Sequence, residues 1–111
     1  MTIKTDQIRA LNDDLRQHLS QRSELAFITA GVAALGAEAV ECIVKTITTY
    51  DDFCHDNDPY EEHDFGSFEA EGETIFFKID YFDHSLTCGS PDPSDPSVTH
   101  RVITIMLAQE Y

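Results

Sequence analysis

From Thr74 to Phe82 the side chains alternate: Ile75, Phe77, Ile79 and Tyr81 form an apolar set, and Phe76, Lys78, Asp80 and Phe82 a mixed one. A period of two over that length requires a strand with one face against a core. Ser67–Ala70 and then Glu71-Gly72-Glu73 precede it. Gly72 supplies the backbone freedom of a tight turn, so the two segments read as a β-hairpin. A chain committed to such a hairpin must cover its apolar face.

Two amphipathic segments offer that cover. Residues 5–19 carry Ile8, Leu11, Leu15 and Leu19 at helical spacing, with Thr5 or Asp6 as N-cap and Arg9, Asp13 and Arg16 expected on the wet side. A polar break follows at residues 20–23. Leu25–Ala30 reads as a short buried strand ended by Gly31. A second helix follows Gly36, with Val40, Ile43, Val44 and Ile47 on one stripe. The β-branched run at Thr46–Thr49 weakens its end. Tyr50 to Gly66 has no period and reads as a long loop, and Asp83 to Pro96, with prolines at 91, 93 and 96, as a rigid surface turn. The last segment, Arg101–Gln109, is β-branched and reads as a strand. Val98, Val102, Ile105 and Met106 also fit a helix capped by Asp95 and opened by Pro96. The expected fold is α+β: two helices packed on a small, mostly antiparallel sheet, in the order α-β-α-β-β-β. The length of 111 residues fits one domain, 1–111.

Charge narrows function. The net charge is −14, and residues 51–95 hold fourteen of the 21 carboxylates but only one base, Lys78. Direct binding to nucleic acid or to an anionic membrane would begin with repulsion, so neither is expected. No apolar run is long enough to span a bilayer. The first residues have no apolar core of a secretory signal, and an odd count of three cysteines without a C-x-x-C pair points to a reducing compartment; a cytoplasmic protein is expected. Repulsion within one acidic face should raise carboxylate pKa values, so mild acid or salt should stabilise the chain.

The expected binding face comprises Asp56, Asp58, Glu61, Glu62, Asp64, Glu69, Glu71, Glu73, Asp80, Asp83, Asp92 and Asp95. Its partner would be a basic protein, such as a nucleic-acid-binding complex, approached as a polyanion mimic. Aromatics on both faces of the hairpin strand could add a patch for that partner or for a second copy in a homodimer. The alternative is a small metal-assisted hydrolase using His63, Asp64, Asp80 and Arg101, with the carboxylates orienting the imidazole and Arg101 holding an anion. The histidines and acids of residues 55–64, with Asp80 and Asp83, are the nearest approach to a metal set. Their spacing completes no known pattern, Pro59 breaks the calcium-loop start at Asp56-x-Asp58, and a zinc set of Cys54, His63, His84 and Cys88 has no supporting motif. No metal or other cofactor is therefore expected.

Several ordered motifs carry a resemblance. They are Ile8–Asp13, Thr29–Val32, Asp56-Asn57-Asp58-Pro59, Glu62-His63-Asp64-Phe65-Gly66, Lys78-Ile79-Asp80-Tyr81, Gly89–Pro93, Asp95-Pro96 and Thr99–Tyr111. Together they resemble an uncharacterised family of short bacterial proteins, domain of unknown function 3768, over nearly the whole chain. The resemblance implies no activity. It implies a setting on plasmids and other mobile elements, in which an acidic DNA mimic would be an antagonist of host defence, such as an anti-restriction or anti-CRISPR protein. Cys54 and His55 fall outside the family pattern.

Overall fold

The computed structural model describes residues 3–21 and 25–111. Its elements are α1 (Ile3–Gln17), β1 (Ala26–Ile28), a short α2 (Ala30–Ala33), α3 (Ala37–Thr48), β2 (Phe65–Ala70), β3 (Glu73–Phe82) and β4 (His100–Leu107), with single 3-10 turns at Leu19–Gln21 and Ala108–Glu110. The four strands form one sheet in the order β1-β4-β3-β2. Both β2–β3 and β3–β4 are antiparallel, and β1 runs parallel to β4. The fold is thus α+β with a mostly antiparallel sheet, and α2 is the element the apolar spacing did not announce.

The hairpin closes through two residues, Glu71 and Gly72, both at positive φ (55° and 75°), the turn that matches strand twist. β3 alternates as expected: Ile75, Phe77 and Ile79 are buried, while Phe76, Lys78 and Asp80 are half-buried. β4 shows the same period, with Arg101, Ile103 and Ile105 buried between half-buried Val102 and Thr104, which excludes the helical alternative. One sheet face packs against Leu15 and Leu19 from the first helical region, Val32 of α2, and Ile43 and Ile47 of α3. Gly66 permits the closest approach on that face. A Cβ there would overlap the Phe77 ring and lie 2.7 Å from the Tyr50 ring.

Four local expectations need correction. Helix α1 begins at Ile3, so Thr5 and Asp6 lie in its first turn and do not precede it. Arg16 is not on the wet side: it is buried, and Arg9 and Asp13 are partly covered. The buried stripe reads Ile8, Asn12, Leu15, Arg16 and Leu19. Nor is β1 buried. It is a three-residue edge strand in which Phe27 is 56% and Ile28 42% exposed. Gly31 belongs to α2. It does not end the strand, and of the expected polar break, residues 22 and 23 lie outside the described residues.

The chain end is fastened by one side chain. Glu110 accepts from Thr29 Oγ1 (2.5 Å), Gly31 N (3.0 Å) and Leu107 N (2.9 Å), tying the last turn to the β1–α2 junction. These donors hold its carboxyl below the usual range, Thr29 foremost. A depressed carboxylate stabilises above its unfolded pKa and loses that contribution as pH falls through the depressed value. Glu110→Ala should lower Tm by a few degrees at pH 7. The deficit should vanish at pH values acid enough to protonate Glu110, as thermal melts across pH will show.

Candidate functional site

The acidic residues divide by topology. Residues 51–64 enter β2 at its start, and residues 83–99 connect the end of β3 to the start of β4. In this antiparallel arrangement those three strand ends lie side by side. The two loops therefore share one end of the sheet. They contain ten carboxylates and no Lys or Arg. Asp56, Asp58, Glu61, Glu62, Asp64, Asp83, Asp92 and Asp95 all belong to this pole. Glu69, Glu71 and Glu73 surround the hairpin turn at the opposite end of the sheet, roughly 20 Å along the strands. Asp80 stands on the open sheet face, ion-paired to Lys78 at 2.5 Å.

Much of the pole holds its own loops in shape. Asp58, 4% exposed, accepts from the amides of Glu62 and His63, each at 3.0 Å. It thereby supports a backbone in which Glu61 and His63 both adopt positive φ (59° and 57°). Asp83 accepts from Ser85 and Thr87, Asp92 from Ser94, and Asp95 from Ser97. The serine hydroxyls are the main reason these three carboxyls titrate below the usual range, opposite to the rise expected from repulsion. Lys4 reaches Asp92 at 3.6 Å, and Arg9 donates to the Glu61 carbonyl and to Asp6.

Asp64 does titrate above the usual range, though burial and not repulsion is the main cause. Burial raises its pKa to about 6, aided by Glu62, Asp58 and Asp80. A carboxyl raised in the folded state stabilises most below its unfolded pKa and loses that contribution as pH rises through about 6. Because the group keeps some solvent contact, the effect is on the order of 1 kcal/mol. Asp64→Asn should therefore be more stable than the parent at pH 7.5 and lose that advantage by pH 4.5. Urea unfolding at the two pH values measures the difference, and a less stable variant at pH 7.5 would contradict the assignment.

Behind the pole lies a polar network that joins helix and sheet. The fully buried Asn12 accepts from Arg101 Nε (2.8 Å) and donates to the Glu62 carbonyl (3.0 Å) and the Tyr81 hydroxyl (2.8 Å). Tyr81 in turn donates to Glu62 Oε1 at 2.8 Å, and burial drives its hydroxyl pKa upward. Arg101 lies over the Tyr81 ring, 5.1 Å from its centroid, and also donates to the Pro93 carbonyl. Desolvation lowers its pKa. Each acidic loop is thus tied to the same network, one through Glu62 and the other through Pro93.

His63 sits beside it. Its ring stacks on Phe53 at 3.9 Å, with planes 3° apart, Nδ1 is 2.8 Å from Asp13 Oδ1, and Nε2 is 3.6 Å from Asp58 Oδ2. An open cleft of ≈ 600 Å³ borders His63, Phe53, Cys54, Asp58, Glu61 and Arg9. Among the described residues no group of three or more His, Cys, Asp or Glu is arranged to hold a metal ion, and neither sequence-level metal set is assembled. Cys42, Cys54 and Cys88 are free and exposed. Of the four residues considered for hydrolysis, His63 and Arg101 lie toward α1, Asp64 contacts the carboxylate group electrostatically, and Asp80 is turned to the opposite sheet face.

Sequence reasoning missed Asn12, Asp13, Arg16 and Phe53. A signal existed for two of them, because Asn12 and Arg16 fall on the helical stripe defined by Ile8, Leu15 and Leu19. A family model described as "Protein of unknown function (DUF3768)" matches residues 28–110. The chain belongs to this family. The DUF3768 match takes in β2, β3, β4 and both acidic loops and begins at Ile28, the last residue of β1, while α1, with Asn12, Asp13 and Arg16, precedes it. No curated protein and no solved structure matches the chain. No helix among the described residues is long and apolar enough to cross a membrane.

Proposed function

We propose that this DUF3768 protein is an acidic protein-binding module that presents its loop pole to the basic groove of a nucleic-acid-binding protein and so competes with the nucleic acid. The observation that carries the reading is the placement of ten carboxylates, with no Lys or Arg in either loop, at one end of the sheet. The molecule measures 38 × 31 × 24 Å. Duplex DNA spanning ~31 Å carries about 18 phosphates, about half of them on any one side. The ten carboxylates of the pole, offset in part by Lys4 at Asp92 and Arg9 at the Glu61 carbonyl, are comparable in number with the phosphates on one side of DNA. Exposed Asp51, Asp52, Asp56 and Glu61 are free to meet partner Arg and Lys side chains, while the carboxylates engaged with their own loops keep the backbone in place. In the mobile-element setting that the family resemblance implies, the partner would be a host defence complex in the cytoplasm, and the protein an anti-restriction or anti-CRISPR antagonist.

Affinity capture from host lysate at low and high salt, followed by competition with duplex DNA, tests the reading. A basic partner that is captured at low salt, released at high salt and displaced by DNA is expected. Recovery of no basic partner at either salt opposes it. A second reading, a metal-assisted hydrolase centred on His63, Asp64 and Asp80, draws on the raised Asp64 carboxyl, but Asp80 lies on the opposite sheet face with Lys78, so it would rest on His63 and Asp64. Stoichiometric transition metal in elemental analysis of the purified protein would favour it.

A further inference from the structure

Residues 25–36 carry no charged side chain in a chain of net charge −14, and they contain β1, one edge of the sheet. Thr29 N donates to Ile105 O at 3.1 Å, and Phe27 pairs with Thr104. Strand alternation therefore directs the amide and carbonyl of Phe27 toward β4, and those of Ala26 and Ile28 away from the sheet. Such an edge is a ready template for another strand. The side chains beside it are apolar and wet, with Phe27 56% and Ile28 42% exposed.

We infer that β1 pairs antiparallel with β1 of a second copy, about a two-fold axis through Phe27. In that register Ala26 of one copy lies opposite Ile28 of the other. These two residues own the outward-facing groups, so the pairing forms four main-chain hydrogen bonds and leaves none of those groups unused. Phe27 meets its own copy as the close, non-hydrogen-bonded pair on the open sheet face. On the helix side a groove of ≈ 760 Å³ borders Ala26, with Leu19 and Val44 in its lining and the Glu41–Lys45 pair and Thr48 at its edge.

The edge is uncharged in both copies and its outward-facing main-chain groups are self-complementary, so a second copy fits it without opposing charges at the seam, whereas a basic partner is drawn to the acidic loops. The two-fold also reverses strand direction, so the acidic pole of one copy faces away from that of the other, whereas parallel pairing would set the poles side by side. A three-residue seam with flanking grooves buries less than a standard interface, so association in the micromolar range or weaker is expected.

Sedimentation from roughly ten micromolar to roughly one millimolar, at low and high salt, tests the inference, together with hydrogen exchange at Ala26 and Ile28. A monomer–dimer equilibrium that strengthens with salt is expected, because screening relieves net repulsion; capture of a basic partner has the opposite salt response. Phe27→Glu, on an exposed position, should raise the dissociation constant about tenfold or more by opposing like charges, with far-ultraviolet circular dichroism unchanged. In the unsubstituted protein, exchange of the Ile28 amide should slow as dimer forms. A monomer at all concentrations, or a dimer that ignores Phe27→Glu and leaves Ile28 exchange unchanged, overturns the inference.

Discussion

Replacing Asn12 by leucine should destabilise the protein by about 3–5 kcal/mol, the cost of leaving the buried Arg101 Nε and the Glu62 carbonyl without this partner and the Tyr81 hydroxyl with its bond to Glu62 alone. Leucine keeps the approximate volume but accepts nothing from Arg101 Nε and donates nothing to the Glu62 carbonyl or the Tyr81 hydroxyl. The site admits no solvent to replace those bonds, since Asn12 is 0% exposed. Glu62 and Pro93 belong to the two acidic loops, so the same substitution should loosen the pole as well as the core. Denaturant unfolding of Asn12→Leu, Arg101→Met and the double variant separates the effects. The double variant should be clearly more stable than the sum of the single losses, because removing Arg101 also removes the orphaned donor. Strict additivity would mean that the two side chains act independently.

Arg16→Met should cost about 3 kcal/mol. The guanidinium donates to the carbonyls of Ile47 (3.2 Å) and Tyr50 (2.7 Å), which lie at and just beyond the C-terminal end of α3. The Ile47 carbonyl also accepts from the Tyr50 amide (3.2 Å), so the shorter bond to the Tyr50 carbonyl is the larger loss, and a cation at a helix C-terminal end also suits the helix dipole. Arg16 further binds Asp13 at 2.6 Å and lies 4.9 Å over the Phe53 ring. Methionine fills the space and supplies none of this. Arg16→Lys should fall between the two, since one ammonium cannot span both carbonyls and Asp13 with the same fork. Unfolding in urea measures the series. A loss under about 1 kcal/mol for Arg16→Met would place the residue among ordinary surface pairs.

Arg16 also shows where sequence reading stops. A helical stripe is recognised by its apolar members, and a charged residue on it is assigned to solvent unless a partner is in view. The partners of Arg16 are backbone carbonyls thirty or more residues away, which no local pattern reveals. The hairpin is the opposite case. Period-two alternation in β3 and the glycine of its turn are local, and both survive in the fold. β1 was misjudged for a third reason. An apolar run of that length suits a central strand, but its place at the sheet edge follows from β4 and β3, not from its own residues. The acidic total was legible. Its division into a pole and a distant turn depends on which strand ends adjoin, and the serine-bonded state of Asp83, Asp92 and Asp95 depends on loop geometry.

The most direct test of the acidic pole compares two neutralised variants in the same capture and DNA-competition experiment. One carries Asp51→Asn, Asp56→Asn and Glu61→Gln in the pole, and the other Glu69→Gln, Glu71→Gln and Glu73→Gln around the hairpin turn. Both remove three charges. Loss of the basic partner by the first variant, with retention by the second, is the predicted result. Equal loss by both, or retention by both, would show that total charge or another surface governs binding and would contradict the role given to the pole.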